Sequence, residues 1–280
     1  ERVYPHWGVR YADVLFQAPN AGGGATKILA LFAHGLPEQA GPSRSARAPF
    51  ASLASAFGSA LVSAGRPAKL EGKTDFPRLL AEQKLPFVTL LTNKKYAEPS
   101  QYMKGANNAR LQRVNEFINE KFVKEKGYAF YPRPFKFSDE NSISGVPASR
   151  ISLRHFGDEK GRSNPASESM FIYDAEKKAY SRINSSGAYI DRDTGEELMF
   201  SNVVVLRADI GFGKGSMFLK DFKSGNAEFF INGQYIRGGW FRNSDSSRLV
   251  LVDDKGEEIR LQRGKTFIVL TNSVTEVAYE

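Results

Sequence analysis

The stretch that decides the fold is Gly225–Phe241, "GNAEFFINGQYIRGGWF". An apolar run leads up to Ile231, Asn232-Gly233 sits at its centre, and strand-like residues resume at Gln234. Asn-Gly between two such runs is the strongest short-range hairpin signal, because both central residues of the favoured turn take positive φ. The same grammar recurs on either side. "ESMFIYDAEKKAYSRI" (Glu168–Ile183) has two alternating runs about a polar turn, and "RLVLVDDKGEEIRL" (Arg248–Leu261) turns on Asp254-Lys255-Gly256. From about Arg150 onward the chain reads as β-rich and mostly antiparallel.

The first half follows different rules. "TKILALFA" (Thr26–Ala33) and "LPFVTLLT" (Leu85–Thr92) are apolar runs of strand length, the kind buried on both faces. Phe50, Leu53, Phe57, Leu61 and Ala64 recur at helical spacing, with Pro49 suited to the first turn and Gly65 to the end. Asn107–Gly127 repeats that pattern with Leu111, Val114, Ile118 and Phe122, and a shorter helix is expected after Asp75, with Pro77 in its first turn. Between the halves, Lys136–Ser149 is rich in Ser, Asp and Asn and carries a Gly and a Pro, which reads as a linker. The expectation is an α+β protein: a mixed α/β basic domain over 1–137, a linker over 138–149 and a β-rich domain over 150–280.

The whole positive excess lies in the first half. Residues 1–140 hold 20 Lys and Arg against 12 Asp and Glu, whereas residues 141–280 hold 19 against 19. A surplus of that kind concerns partners rather than fold, and points to anionic ones. Cysteine is absent, which excludes disulfides, thiolate metal sites and a Cys nucleophile. The three histidines, His6, His34 and His155, have no metal-ligand spacing, so neither a metal nor another cofactor is expected. No apolar run reaches the roughly 20 residues of a membrane-spanning helix.

Several of these segments, in their order, resemble the YerB-like family of bacterial candidate lipoproteins, whose domain is uncharacterised. The carriers are "GVRYADVLFQ", "GGGATKILALF" and "AGPSRSAR" in the first half. In the second they are "YDAEKKAYSRI", "IDRDTGEELMFSNVVV", "GNAEFFINGQYIRGGW" and "GEEIRLQRGKTFIVL". The resemblance implies a cell-envelope protein on the outer face of the bacterial membrane, lipid-anchored through a segment upstream of "ERVYPHWG". The chain departs from the family pattern at Gln17, Gly22–Lys27, Ser63–Pro67 and Ala106–Asn108, where two acids and two histidines of the family pattern are missing. Proton chemistry loses its carriers at those positions.

The chemistry-bearing stretch is "GPSRSARAPF" (Gly41–Phe50). Free N–H groups and the positive end of the dipole at a helix start favour an anion. Arg44 and Arg47 add charged donors, Ser43 and Ser45 add hydroxyls, and Thr26 and Lys27 converge on them if "TKILALF" is the neighbouring strand. In the bland alternative Ser45 is a cap and the arginines neutralise a carboxylate such as Asp13. A second group, Tyr180, Arg182 and Asp191, is placed by strand alternation to join strands through an Arg–Asp pair. "DIGFGKGSMF" (Asp209–Phe218) lacks phosphate-loop spacing and reads as a hairpin, and no Gly-x-Ser-x-Gly nucleophile motif is present. Trp240 is read as core rather than as a sugar platform. Cations interleave with aromatics in places, but no nucleic-acid motif accompanies them, so nucleic acid is not the expected partner. The expectation is a non-catalytic protein binding an anionic or glycan ligand of the cell wall. The alternative is a hydrolase or transferase on a wall polymer, its site in the cleft between the halves.

Overall fold

The structure, a computed structural model, describes residues 4–20, 26–66, 76–92, 94–101, 104, 106–139, 144–154, 168–213, 216–245, 247–273 and 275–280. The Gly22–Ala25 stretch, Asp75 and His155 lie outside these residues.

The Asn-Gly hairpin forms as its sequence requires. Asn232 and Gly233 both have positive φ, 53° and 71°, and Ser224–Ile231 pairs antiparallel with Gln234–Phe241 over eight residue pairs. Asn232 also accepts a hydrogen bond from the Tyr173 hydroxyl at 2.7 Å, which ties the turn to a neighbouring strand. "DIGFGKGSMF" likewise pairs with itself, Asp209–Gly213 against Ser216–Asp221.

Two stacked sheets organise the described residues. In the central one the order is β2 (Thr26–Leu31), β1 (Val14–Pro19), Thr266–Thr271, Asn202–Arg207, Ser224–Ile231, Gln234–Phe241 and Val250–Asp253. Both faces of this sheet are covered, so its inner strands are continuous apolar runs rather than alternating ones, as in "NVVVLR". Val204, Leu206, Ile268 and Leu270 face one core with Phe16 and Phe229. Val203, Val205, Phe267 and Val269 face the other with Leu15 and Phe230. The second sheet, entirely antiparallel, is built from Arg150–Arg154, Ser169–Asp174, Ala179–Asn184 and Glu276–Tyr279 with two short flanking strands, and closes that second core. Trp240 is core: it is 1% exposed and its indole N–H donates to the Arg207 carbonyl at 2.9 Å.

The two sequence halves share the central sheet. β1 pairs in parallel with Thr266–Thr271, a strand some 250 residues away, and β2 hangs on β1 at the sheet's edge. The segment expected as a linker is itself paired at both ends, Phe137–Ser138 with Leu261–Gln262 and Val146–Pro147 with Gln234–Tyr235. Cores and sequence halves are therefore divided differently.

Helix α1 (Ala48–Phe57) packs on the first face of the central sheet through Phe50, Leu53 and Phe57. The helical reading that ran on to Ala64 is corrected here. Gly58 takes a left-handed conformation, φ 63°, and its N–H closes on the carbonyls of Ala54 and Ser55, ending the helix. Leu61–Ser63 is instead strand β4, paired in parallel with β5 (Phe87–Thr89). The helix after Asp75 is α2 (Phe76–Glu82), with Pro77 in its first turn. The reading of Asn107–Gly127 as one helix also changes. Its first four residues form a strand that pairs with β3 (Gln39–Ser43) and with Ala97–Pro99. Helix α3 (Leu111–Ile118) follows and widens into a π-helical turn over Asn119–Lys124. A third, smaller core lies under α3, with Val88, Leu90, Tyr96, Val114 and Ile118.

Candidate functional site

β2 is the last strand of the central sheet, and beyond it lies a cavity of about 830 Å³. α1, β3, β4 and α3 form its other walls, so it sits where the first and third cores meet the sheet edge. The β2 run, expected to be buried on both faces, is fully buried only at Thr26; Lys27–Leu31 are half-buried, because this wall is open on the cavity side.

Three cations converge at one end of the cavity. Lys27 reaches across from the start of β2, and its Nζ donates to the Ser45 carbonyl at 3.0 Å. Arg47, the N-cap residue of α1, folds back so that Nη1 donates to the carbonyls of Ser45 at 3.2 Å and Ala46 at 2.9 Å. Its Nε is enclosed and has no hydrogen-bond partner among the described residues. Arg44 donates through Nη1 to the Lys104 carbonyl at 3.0 Å. Among the described residues none of the three has a carboxylate within ion-pair distance, and none of the described lining residues is Asp or Glu. The first turn of α1 likewise carries no acid.

The electrostatic consequence is large. Burial removes water from the Lys27 ammonium, and the neighbouring Arg47 and Arg44 disfavour its charge further, bringing its pKa from 10.5 down to about 7. Burial and Arg44 lower Arg47 in the same way. A group of like charges held together without an acid is destabilising in isolation, and a bound anion relieves it.

The serines have structural duties. The Ser43 hydroxyl accepts the Ala64 N–H at 3.0 Å, and Ala46 N–H donates to Gly65 at 3.0 Å, tying the "PSRSA" segment to the end of β4. Ser45 contributes its carbonyl and is not the cap of α1, a position that Arg47 fills with no side-chain capping bond. Thr26 accepts from Gln17 Nε2 at 3.2 Å in the buried interior.

The other sequence-derived residues lie elsewhere. Asp13 accepts from the N–H groups of Ala33 and His34 at 2.7 and 3.2 Å and from the His34 ring at 2.6 Å. Burial opposes its charge, yet these bonds outweigh burial and hold the carboxyl below its ordinary range. Tyr180 is buried in the second core and donates to the Ala148 carbonyl at 3.1 Å. Arg182, fully buried, donates to the Ser169 hydroxyl at 2.8 Å and lies over the rings of Tyr189 and Phe267 at 4.8 and 4.9 Å. Asp191 accepts from the N–H groups of Arg10 and Asp193, each at 2.9 Å. None of these four residues lines the cavity. Six of the ten residues do so: Lys27, Ser43, Arg44, Ser45 and Arg47 as a cluster, with Thr26 beside them.

Sequence reasoning missed the cavity's apolar walls. The available signal was "ILALF" (Ile28–Phe32), an apolar run without alternation, all but its last residue on an edge strand.

Comparison with known proteins places the chain among relatives over nearly all of its length. Residues 1–107 match the N-terminal domain, and residues 161–268 the C-terminal domain, of "Protein of unknown function (DUF3048)". The chain is 25% identical to "Putative lipoprotein YerB" of Bacillus subtilis (strain 168) over 284 residues, spanning 95% of this chain and 77% of that protein. The crystal structure of YerB from Bacillus subtilis shares the fold, with a TM-score of 0.79 and 21% identity over 98% of this chain and 89% of that one.

Proposed function

The chain belongs to the DUF3048 family, whose two domains it carries in order, and from that premise we propose that it is a bacterial cell-envelope protein that binds an anionic ligand. The envelope location follows the lipoprotein name of the Bacillus subtilis relative. The site is the cation-lined end of the cavity. One observation carries this reading: Lys27, Arg44 and Arg47 meet there with no carboxylate to neutralise them among the described residues. A structural ion-pair cluster would have placed an acid between them. The same observation favours an anion over a neutral glycan.

The test is titration with inorganic polyphosphate and with a neutral wall-type oligosaccharide, for wild type and for Arg44→Ala and Arg47→Ala. Charge-assisted bonds to a desolvated anion are worth roughly 1.5–3 kcal/mol each, so each variant loses about tenfold or more in polyphosphate affinity. The salt dependence becomes shallower, and the melting temperature stays nearly unchanged. Variants that melt much lower and bind normally would make the cluster a structural one and end this reading.

A further inference from the structure

The cations occupy one end of the cavity, and much of the remaining wall is apolar, interspersed with His6 and uncharged Ser and Asn side chains. β2 lines it along Lys27–Leu31, a length of roughly 13 Å at the rise of an extended strand, and Phe32 follows just past the strand's end. Past Lys27 that strand presents Leu29 and Leu31. α1 adds Phe50 and Phe57, and α3 adds Val114 and Ile118. Leu29 and Leu31 remain half-buried although apolar side chains surround them, so the cavity itself is what exposes them. The polar groups on the α3 side, Asn115 and Asn119, are uncharged. A purely hydrophilic anion would leave this apolar length against water. The volume, about 830 Å³, lies within the roughly 300–1,000 Å³ of pockets that enclose small organic ligands.

We infer that the ligand is an anionic amphiphile: a phosphate or carboxylate head held by Lys27, Arg47 and Arg44, with a single apolar chain laid along β2 between α1 and α3. Charge complementarity fixes the direction, head toward the start of β2 and chain toward Phe32. This deepens the anion-binding proposal and rests on it. Lys27 assists, because a pKa lowered to about 7 leaves much of it as the neutral amine above that pH, and an anionic head restores its proton.

The experiment is calorimetric titration of the wild-type chain with a series of alkyl monophosphates, ethyl to dodecyl, each below its micelle concentration. Dodecyl maltoside serves as the neutral head on the same chain. Affinity is expected to rise by about fourfold per added methylene as the chain is buried, and dodecyl phosphate should outbind dodecyl maltoside by at least tenfold. Lys27→Met lowers affinity for every phosphate by a similar factor. Ala60→Phe, at a half-buried lining position, removes the chain-length dependence and spares ethyl phosphate. Phosphates that bind with no dependence on chain length would overturn the amphiphile and leave the anion site standing. Equal binding of maltoside and phosphate, indifferent to Lys27→Met, would reduce the cavity to an apolar surface and overturn both proposals. So would binding by none of the probes.

Discussion

Lys27 and Arg47 donate to the same oxygen, the carbonyl of Ser45, at 3.0 and 3.2 Å. Two cations from distant strand and helix positions thus lean on one acceptor while Arg44 stands close enough to disfavour the charge of both. The arrangement is costly when empty. Replacing Lys27 by Met removes the repulsion and leaves Arg47 its carbonyl bonds, so the empty protein should gain stability, by about 1 kcal/mol or roughly 2–4 °C in melting temperature, while losing anion binding. Thermal melts with and without polyphosphate check this, and a lower melting temperature for Lys27→Met would mean that the ammonium is a net structural asset.

The pH dependence of that cost has a definite sign. The folded pKa of Lys27, about 7, lies below the ordinary 10.5, so between those values the unfolded chain binds the extra proton. Stability of the empty protein from this group rises with pH across about 7 to 10.5 and is flat below. An anion restores the ammonium, so binding at pH 8 should take up a proton. Titration calorimetry of inorganic polyphosphate binding in buffers of different ionisation enthalpy measures it; a heat that is independent of buffer would contradict the coupling among Lys27, Arg44 and Arg47.

A second pH effect has the same sign but lies in the acid range. Glu258 receives both nitrogens of Arg248, one of them at 2.9 Å, and pairs with Lys136 at 2.5 Å. These partners, Arg248 first, hold its carboxyl down at about 2 against an ordinary 4.5. That stabilisation is present above pH 4.5 and is lost as pH falls toward 2. Glu258→Gln should cost about 1–2 kcal/mol at neutral pH and flatten the acid limb of the stability profile. Urea unfolding at pH 7 and pH 3 gives both numbers, and equal losses at the two pH values would rule the pair out as the cause.

At the hairpin, Gly233 has φ 71°, and a Cβ there would stand 2.8 Å from the Tyr173 ring. Gly233→Ala should therefore cost about 1–3 kcal/mol through backbone strain and displacement of that ring. Chemical denaturation reads the change. A loss under 0.5 kcal/mol (roughly the scatter of surface substitutions) would show that the turn adapts.

What was legible in the sequence was local. Asn232-Gly233 carries its turn in two residues, and the resemblance along the chain named the family. The end of α1 was not legible, because Leu61 and Ala64 continue the helical spacing past Gly58, whose left-handed cap appears only in three dimensions. Nor was the β1 pairing, since Val14–Gln17 meets Thr266–Val269 with no shared local signal. The cluster was half-legible: Arg44, Arg47 and Lys27 were chosen for their charge, but that Asp13 would be engaged by His34 and leave them unneutralised depends on where β1 and β2 run.

The central claim, that an anion belongs among Lys27, Arg44 and Arg47, is tested most directly by diffraction from crystals soaked in tungstate, a heavy tetrahedral anion that stands in for phosphate. The account predicts an anomalous peak within hydrogen-bond distance of Lys27 Nζ and an Arg47 guanidinium nitrogen, at the open edge of β2, and its loss in Lys27→Met crystals. Tungstate bound only elsewhere on the molecule, with this end of the cavity empty, would contradict it.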